Sequence, residues 1–151
     1  MALTTFQAVA RSKGGVKVEG ESRGFKITID EPEALGGTNE GMNPVELLLH
    51  SLGACQIITA KVYAPKFGVE IEDMWIELEG DIDLDGFNGV EGVKSGYKEI
   101  RFKIHVATNS PGEKVRELMN ETLRICPVGD TLKSETPLIE KAVIIEQPIL
   151  A

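Results

Sequence analysis

One segment constrains this chain more than any other. Asn43-Pro44-Val45-Glu46 opens a run in which Leu47, Leu48, Leu49, Leu52, Ala54, Ile57, Ile58 and Ala60 are apolar. Asn43 suits a helix cap. Pro44 suits the first helical position, where its missing N–H costs nothing. Glu46 stands where a capping-box carboxylate reaches back to the cap. The pattern predicts a helix to Tyr63 or Ala64 that stops before Pro65. Its apolar residues cover most of the circumference, which predicts burial on several sides. In 151 residues, that places the helix at the centre, wrapped by a sheet or by a second subunit.

The rest of the chain reads mainly as strands. Phe25, Ile27 and Ile29 alternate with Lys26, Thr28 and Asp30, the period of a half-buried strand. Gly14-Gly15 marks a turn between strands at 5–11 and 16–19, and residues 31–42 form a loop. After the helix, a strand is expected over 69–78, a Gly- and Asp-rich connection over 79–96, and a strand over 100–106. Ser110-Pro111-Gly112-Glu113 repeats the capping pattern and opens a helix to Arg124. Cys126-Pro127 opens a short third helix, and residues 142–146 read as a last strand. This order predicts one α+β domain over residues 1–151 with a mostly antiparallel sheet.

The net charge of −8 argues against a nucleic-acid partner, since phosphate binding needs concentrated Lys and Arg. No basic region precedes a long apolar run at the N-terminus, so no signal peptide is expected. The apolar stretch at 47–58 is interrupted by His50, Ser51 and Gln56 and reads as too short and too polar to span a membrane. The expected compartment is the reducing cytoplasm, where the two cysteines are free thiols.

Cys55 lies mid-helix, where a free Cys often behaves as a small core hydrophobe. Cys126 precedes Pro127, and a helix N-terminus there would lower its thiol pKa. The two are 71 residues apart, so no Cys-x-x-Cys motif exists. His50 and His105 lack zinc-finger spacing to these cysteines, and no metal or other cofactor is expected.

The stretch from Asn43-Pro44 through Glu46 to Gly53-Ala54-Cys55 resembles the signature of the OsmC/Ohr family, and Cys126-Pro127-Val128-Gly129-Asp130-Thr131-Leu132 resembles that family's second cysteine motif. Gly20-Glu21-Ser22-Arg23-Gly24-Phe25 and Gly36-Gly37 also fit. The resemblance implies an intertwined homodimer, with sheets wrapping central helices and sites at the subunit interface. It also implies reduction of small organic hydroperoxides in oxidative-stress defence. Cys55 would attack the peroxide and become a sulfenic acid, Cys126 would close a disulfide with it, and a dithiol would reopen that bond.

The chain departs from the typical enzymes at two places. Their Glu directly follows Asn-Pro. Here Val45 stands there and Glu46 comes one residue later, turned by about 100° on a helix. Glu46 is thus a candidate catalytic carboxylate or a capping-box residue. The activating Arg of those enzymes has no counterpart after Gly14-Gly15 or in residues 35–42, which leaves Arg11, Arg23, Arg124 and Lys17 as substitutes. The Pro-x-Glu form of the motif is closer to a less characterised branch. The alternatives to a peroxidase are a thiol redox sensor, a binder of small apolar molecules, and a structural stress protein with inert thiols. His50 sits about 140° around the helix from Cys55, which suits a polar contact better than a base.

Overall fold

The computed structural model describes residues 1–148. Asn43 Oδ1 accepts the Glu46 N–H at 2.9 Å, and Glu46 Oε2 accepts the Asn43 N–H at 2.8 Å, so the capping box is complete. The helix it opens, α1, spans Pro44–Phe67. It runs through Pro65 rather than stopping before it. Pro65 lies in the last turn, where one carbonyl loses its donor without breaking the helix. The end is set by Gly68, in the left-handed conformation at φ 65°. The Gly68 and Val69 N–H groups close back on Pro65 O and Ala64 O, the double bond pattern of a Schellman cap.

The strands form two antiparallel sheets rather than one. β1 (Val9–Ser12), β2 (Val18–Ser22) and β3 (Phe25–Ile29) make a meander. β4 (Asp73–Asp81) pairs with β5 (Glu99–Ala107) from Asp73↔Ala107 to Asp81↔Glu99. Between them lies the one-turn helix α2 (Leu84–Phe87). α3 (Gly112–Ile125) and α4 (Pro127–Lys133) follow. Ser110 does not cap α3. Its Oγ accepts the Glu70 N–H at 2.9 Å instead, tying the loop before β4 to the start of α3.

The core lies where α1 and α3 pack with β4 and β5. Ala60, Met74 and Met119 meet there with Ile57, Ile76 and Ile104 around them. A second cluster of Ala64, Val69 and Leu118 continues it toward the end of α1. Gly53 lets α1 pass close to β4, since a Cβ there would stand 2.8 Å from Leu78 Cδ1.

Within one chain, α1 is covered on one side only. Leu52, Gly53, Gln56, Thr59, Ala60 and Ala64 are buried, while Ile58 and Val62 are 63% and 68% exposed. The expected wrapping is therefore partial: β4 lies on α1, whereas the β1–β3 meander leaves Phe25 70% exposed. By length and composition, the 24-residue α1 is apolar enough to cross a membrane, contrary to the reading of 47–58 alone. Its buried Gln56 and Thr59 and its packing against β4, α3 and α4 make it a core helix here.

The strand expected at 142–146 is not formed. Residues 135–148 have no regular structure, and Leu138, Val143, Ile144 and Ile145 are exposed. A strand is stable only beside another that satisfies its backbone, and none of the described strands runs alongside this segment.

Candidate active site

Two junctions bring the thiols together. α1 carries Cys55 midway along its length, half-buried. Pro127 disfavours helical geometry at the residue before it, so Cys126 is extended at φ −60° and ψ 115° and separates α3 from α4. Its N–H still bonds Thr122 O, and its sulfur accepts the Gly129 N–H at 3.4 Å. Both α3 and α4 pack against α1. The result is that Cys126 Sγ donates to Cys55 Sγ at 2.9 Å, with both cysteines as free thiols.

The electrostatics of Cys126 run against the expectation of a lowered pKa. Cys126 is only 1% exposed. Burial pushes its thiol up, the hydrogen bond to Cys55 pushes the same way, and the Gly129 N–H opposes them without prevailing. α4 is seven residues long, so few aligned peptide dipoles offset the loss of water.

Glu46 spends one carboxylate oxygen on its own helix cap. It lies nine residues before Cys55, about 13 Å along the helix axis at 1.5 Å per residue. The nearby Tyr97 hydroxyl donates to Val45 O at 2.8 Å, and burial, with the Glu46 charge behind it, raises the Tyr97 pKa.

The candidate cations are placed elsewhere. Arg124 makes a two-pronged pair with Glu121 at 2.7 and 2.8 Å. Lys17 is held by Glu40 at 2.5 Å. Arg23 sits in the hairpin turn at φ 53°, its guanidinium 5.3 Å from the Phe25 ring centre. Arg11 lies on exposed β1. Among the described residues, no Arg or Lys bonds either sulfur. His50 is exposed on α1. His105 is stacked on Trp75 at 4.7 Å and bonds Glu77 at 2.6 Å, on the face of β5 away from α1.

Two polar features of the region were not singled out from sequence. Gln56 is 2% exposed and its Oε1 has no hydrogen-bond partner among the described residues. Its signal was an amide inside an apolar helix, legible only as an interruption. Asp30, also buried, accepts the Thr38 hydroxyl at 2.6 Å and the N–H groups of Glu31, Thr38 and Glu40, which shapes the loop leading to α1. Gly37 and Gly41 belong to that loop. A Cβ on Gly37 would stand 1.9 Å from Glu31 O, and one on Gly41 would stand 2.3 Å from Thr28 O.

Known proteins similar to this chain are found by sequence and by shape. A protein named hydroperoxide reductase from Mycoplasma pneumoniae is 28% identical over 115 residues, 76% of this chain and 77% of that protein. The uncharacterised protein YmaD of Bacillus subtilis is 36% identical over 64 residues, so the match spans 42% of this chain and 43% of that relative's length. The crystal structure of an OsmC-like protein from Mycoplasma pneumoniae superposes with a TM-score of 0.76 at 23% identity, covering 86% of this chain and 88% of that one. An organic hydroperoxide resistance protein OsmC from Legionella pneumophila gives 0.62 at 20% identity, covering 88% and 92%. At such identities these structures establish the fold. The family model described as OsmC-like protein matches residues 37–141, a span that begins at Gly37 and includes both thiols and the whole of α1. With well over half of its length matched, the chain belongs to the OsmC-like protein family.

Proposed function

We propose that the chain reduces small organic hydroperoxides with its two thiols. The observation that carries this reading is the 2.9 Å approach of Cys126 Sγ to Cys55 Sγ across 71 residues of sequence. The Cys55 thiolate attacks the distal peroxide oxygen, the O–O bond breaks, and the alkoxide leaves with a proton as the alcohol. Cys55 is then a sulfenic acid. Cys126 attacks that sulfur, water leaves, and a Cys55–Cys126 disulfide remains. A dithiol returns both to thiols, a cycle suited to a reducing compartment such as the cytoplasm.

The names of the hydroperoxide reductase and hydroperoxide resistance relatives support this reading. So does the order of burial. Half-buried Cys55 can meet a substrate, while buried Cys126 is kept for the second step.

The working unit in this proposal is a homodimer. The open side of α1 with Ile58 and Val62, and the stand-off β1–β3 meander, are the surfaces a second copy would cover. A second copy is also the source from which a cation could reach Cys55.

One observation favours a second reading, a thiol redox sensor. No cation bonds either thiol among the described residues, and the Cys126 pKa is raised rather than lowered. A sensor would be oxidised slowly and would not need turnover.

The test is one equivalent of cumene hydroperoxide followed by mass spectrometry. The peroxidase reading expects cumyl alcohol and an intramolecular disulfide within seconds. If Cys55→Ser and Cys126→Ser consume peroxide as fast as the parent, that reading fails. A disulfide that forms only over many minutes and does not turn over with dithiol supports the sensor.

A further inference from the structure

The seam between α1 and α3 is built from two stripes that repeat every fourth residue. On α1 these are Leu52, Gln56, Ala60 and Ala64, all buried. On α3 and its end they are Leu118, Thr122 and Cys126, none more than 1% exposed. Ala64 clusters with Leu118, and Ala60 with Met119. At the other end, Leu52 Cδ1 and Cys126 Sγ stand 3.7 and 3.6 Å from where a Cβ on Gly129 would be. The stripes therefore run antiparallel. Gln56, between Ala60 and Leu52, faces the stretch that holds Thr122 and Cys126.

Two polar atoms in this seam have no hydrogen-bond partner among the described residues, Gln56 Oε1 and Thr122 Oγ1. Both residues are buried by their own chain, so a second copy does not supply the partner. An unpaired amide costs stability that a methionine of similar length would not. Of the two, only Gln56 shares a cavity with Cys126.

The reduced thiol pair poses a problem that such an acceptor solves. Cys126 donates its S–H to Cys55 Sγ at 2.9 Å, so the hydrogen stands on the line along which an S–S bond of about 2.0 Å must form. Burial favours the protonated form of Cys126. The hydrogen is thus present when attack begins and must first leave that line.

We propose that Gln56 is the positioning residue of disulfide closure, its Oε1 accepting the Cys126 S–H and turning it off the S···S axis. The inference rests on the two-thiol cycle of the proposed function. With the hydrogen aside, a sulfur lone pair of Cys126 points at the Cys55 sulfenic acid. Cys126 Sγ attacks Cys55 Sγ, the S–O bond breaks, and the oxygen leaves with its own hydrogen and the Cys126 proton as water. The amide holds the hydrogen and is neither oxidised nor protonated at the end. Gln56 acts through Cys126 and takes no part in the attack of Cys55 on an oxidant.

The experiment reads closure with and without peroxide. With the aromatic disulfide reagent 5,5′-dithiobis(2-nitrobenzoate), Cys55 releases one coloured thiolate and keeps the other half as a mixed disulfide. Cys126 then expels the second thiolate and gives its proton to solvent. Gln56→Met should slow the second release about tenfold and leave the first within a factor of about two, with Tm no lower than that of the parent. Gln56→Glu keeps an acceptor of the same length and should restore the second release to within about threefold of the parent. Thr122→Val removes an equally buried unpaired atom outside the shared cavity and should leave both releases within a factor of about two. With cumene hydroperoxide, dimedone should capture the Cys55 sulfenic acid in Gln56→Met more than in the parent, at an equal yield of cumyl alcohol. A second release as fast in Gln56→Met as in the parent overturns the proposal. So does equal slowing by Thr122→Val, or a Gln56→Glu variant as slow as Gln56→Met. A parent that yields no cumyl alcohol defeats the peroxidase reading alone, because the second release still decides the role of Gln56.

Discussion

Glu46 Oε2 accepts the Asn43 N–H at 2.8 Å while the Glu46 N–H donates to Asn43 Oδ1 at 2.9 Å. This reciprocal pair accounts for the carboxylate without any chemistry at Cys55. Gln reproduces the geometry of a capping box and Ala does not. Glu46→Gln should therefore keep both thermal stability and peroxide consumption near those of the parent. Glu46→Ala should lower Tm by about 2–4 °C with peroxide consumption per folded molecule unchanged. A large fall in kcat for Glu46→Gln at constant Tm would instead give the carboxylate a catalytic role.

Asp30 gives the loop before α1 a pH dependence of defined sign. The Thr38 hydroxyl and the N–H groups of Glu31, Glu40 and Thr38 hold its carboxyl down at about 2. A carboxyl with a depressed folded pKa contributes stability that is fully present above its unfolded value, near 3.9. That contribution is lost as pH falls through the folded value. Asp30→Asn should thus have a lower Tm than the parent at pH 7, and the gap should shrink as pH falls from about 4 to about 2. A gap that is constant across this range would show that the carboxylate charge plays no part.

Much of this was legible in the residues and some was not, for reasons that separate cleanly. The start of α1 was readable because Asn43, Pro44 and Glu46 act on their own neighbours. The end lies about one turn past the stop that Pro65 suggests, because Gly68 supplies the left-handed cap. Ser110 has the sequence of a cap for α3 but does not act as one, because its hydroxyl is taken by the N–H of Glu70, 40 residues away. Residues 142–146 carry a strand pattern, but a strand needs a neighbour, and sequence pattern cannot say whether one chain supplies it. The cysteine pairing came from two motifs taken together. The pKa of Cys126 depends on how deeply α1, α3 and α4 bury it, and no local pattern carries that.

The two thiols should differ sharply in reactivity. Cys126 is buried and its pKa is raised, whereas Cys55 is half-buried. Alkylation requires the thiolate and an open path. In the reduced protein at pH 8, iodoacetamide should modify Cys55 at least about tenfold faster than Cys126. The Cys126 rate should keep rising at pH values above the ordinary range for a free thiol. Peptide mapping over a time course reads both. Equal rates, or faster labelling of Cys126, would reverse the assignment of attacking and resolving roles.

Ile58 and Val62 stand one helical turn apart on the side of α1 away from the core. Two such residues, more than 60% exposed on a core helix, form part of an apolar face that a single chain leaves uncovered. If a second copy covers it, an acidic group there must be desolvated without a partner, at a cost of several kcal/mol. Analytical ultracentrifugation should give the parent twice the 16.4 kDa of one chain. Ile58→Glu should sediment as a single chain at the same concentration while keeping its helical circular dichroism. The face lies on the same helix as Cys55, three residues on. If peroxide consumption in Ile58→Glu falls together with the dimer fraction across a dilution series, the second copy completes the site. If the parent itself is monomeric at tens of micromolar, the homodimer is wrong, and any cation that assists Cys55 must come from the chain's own loops.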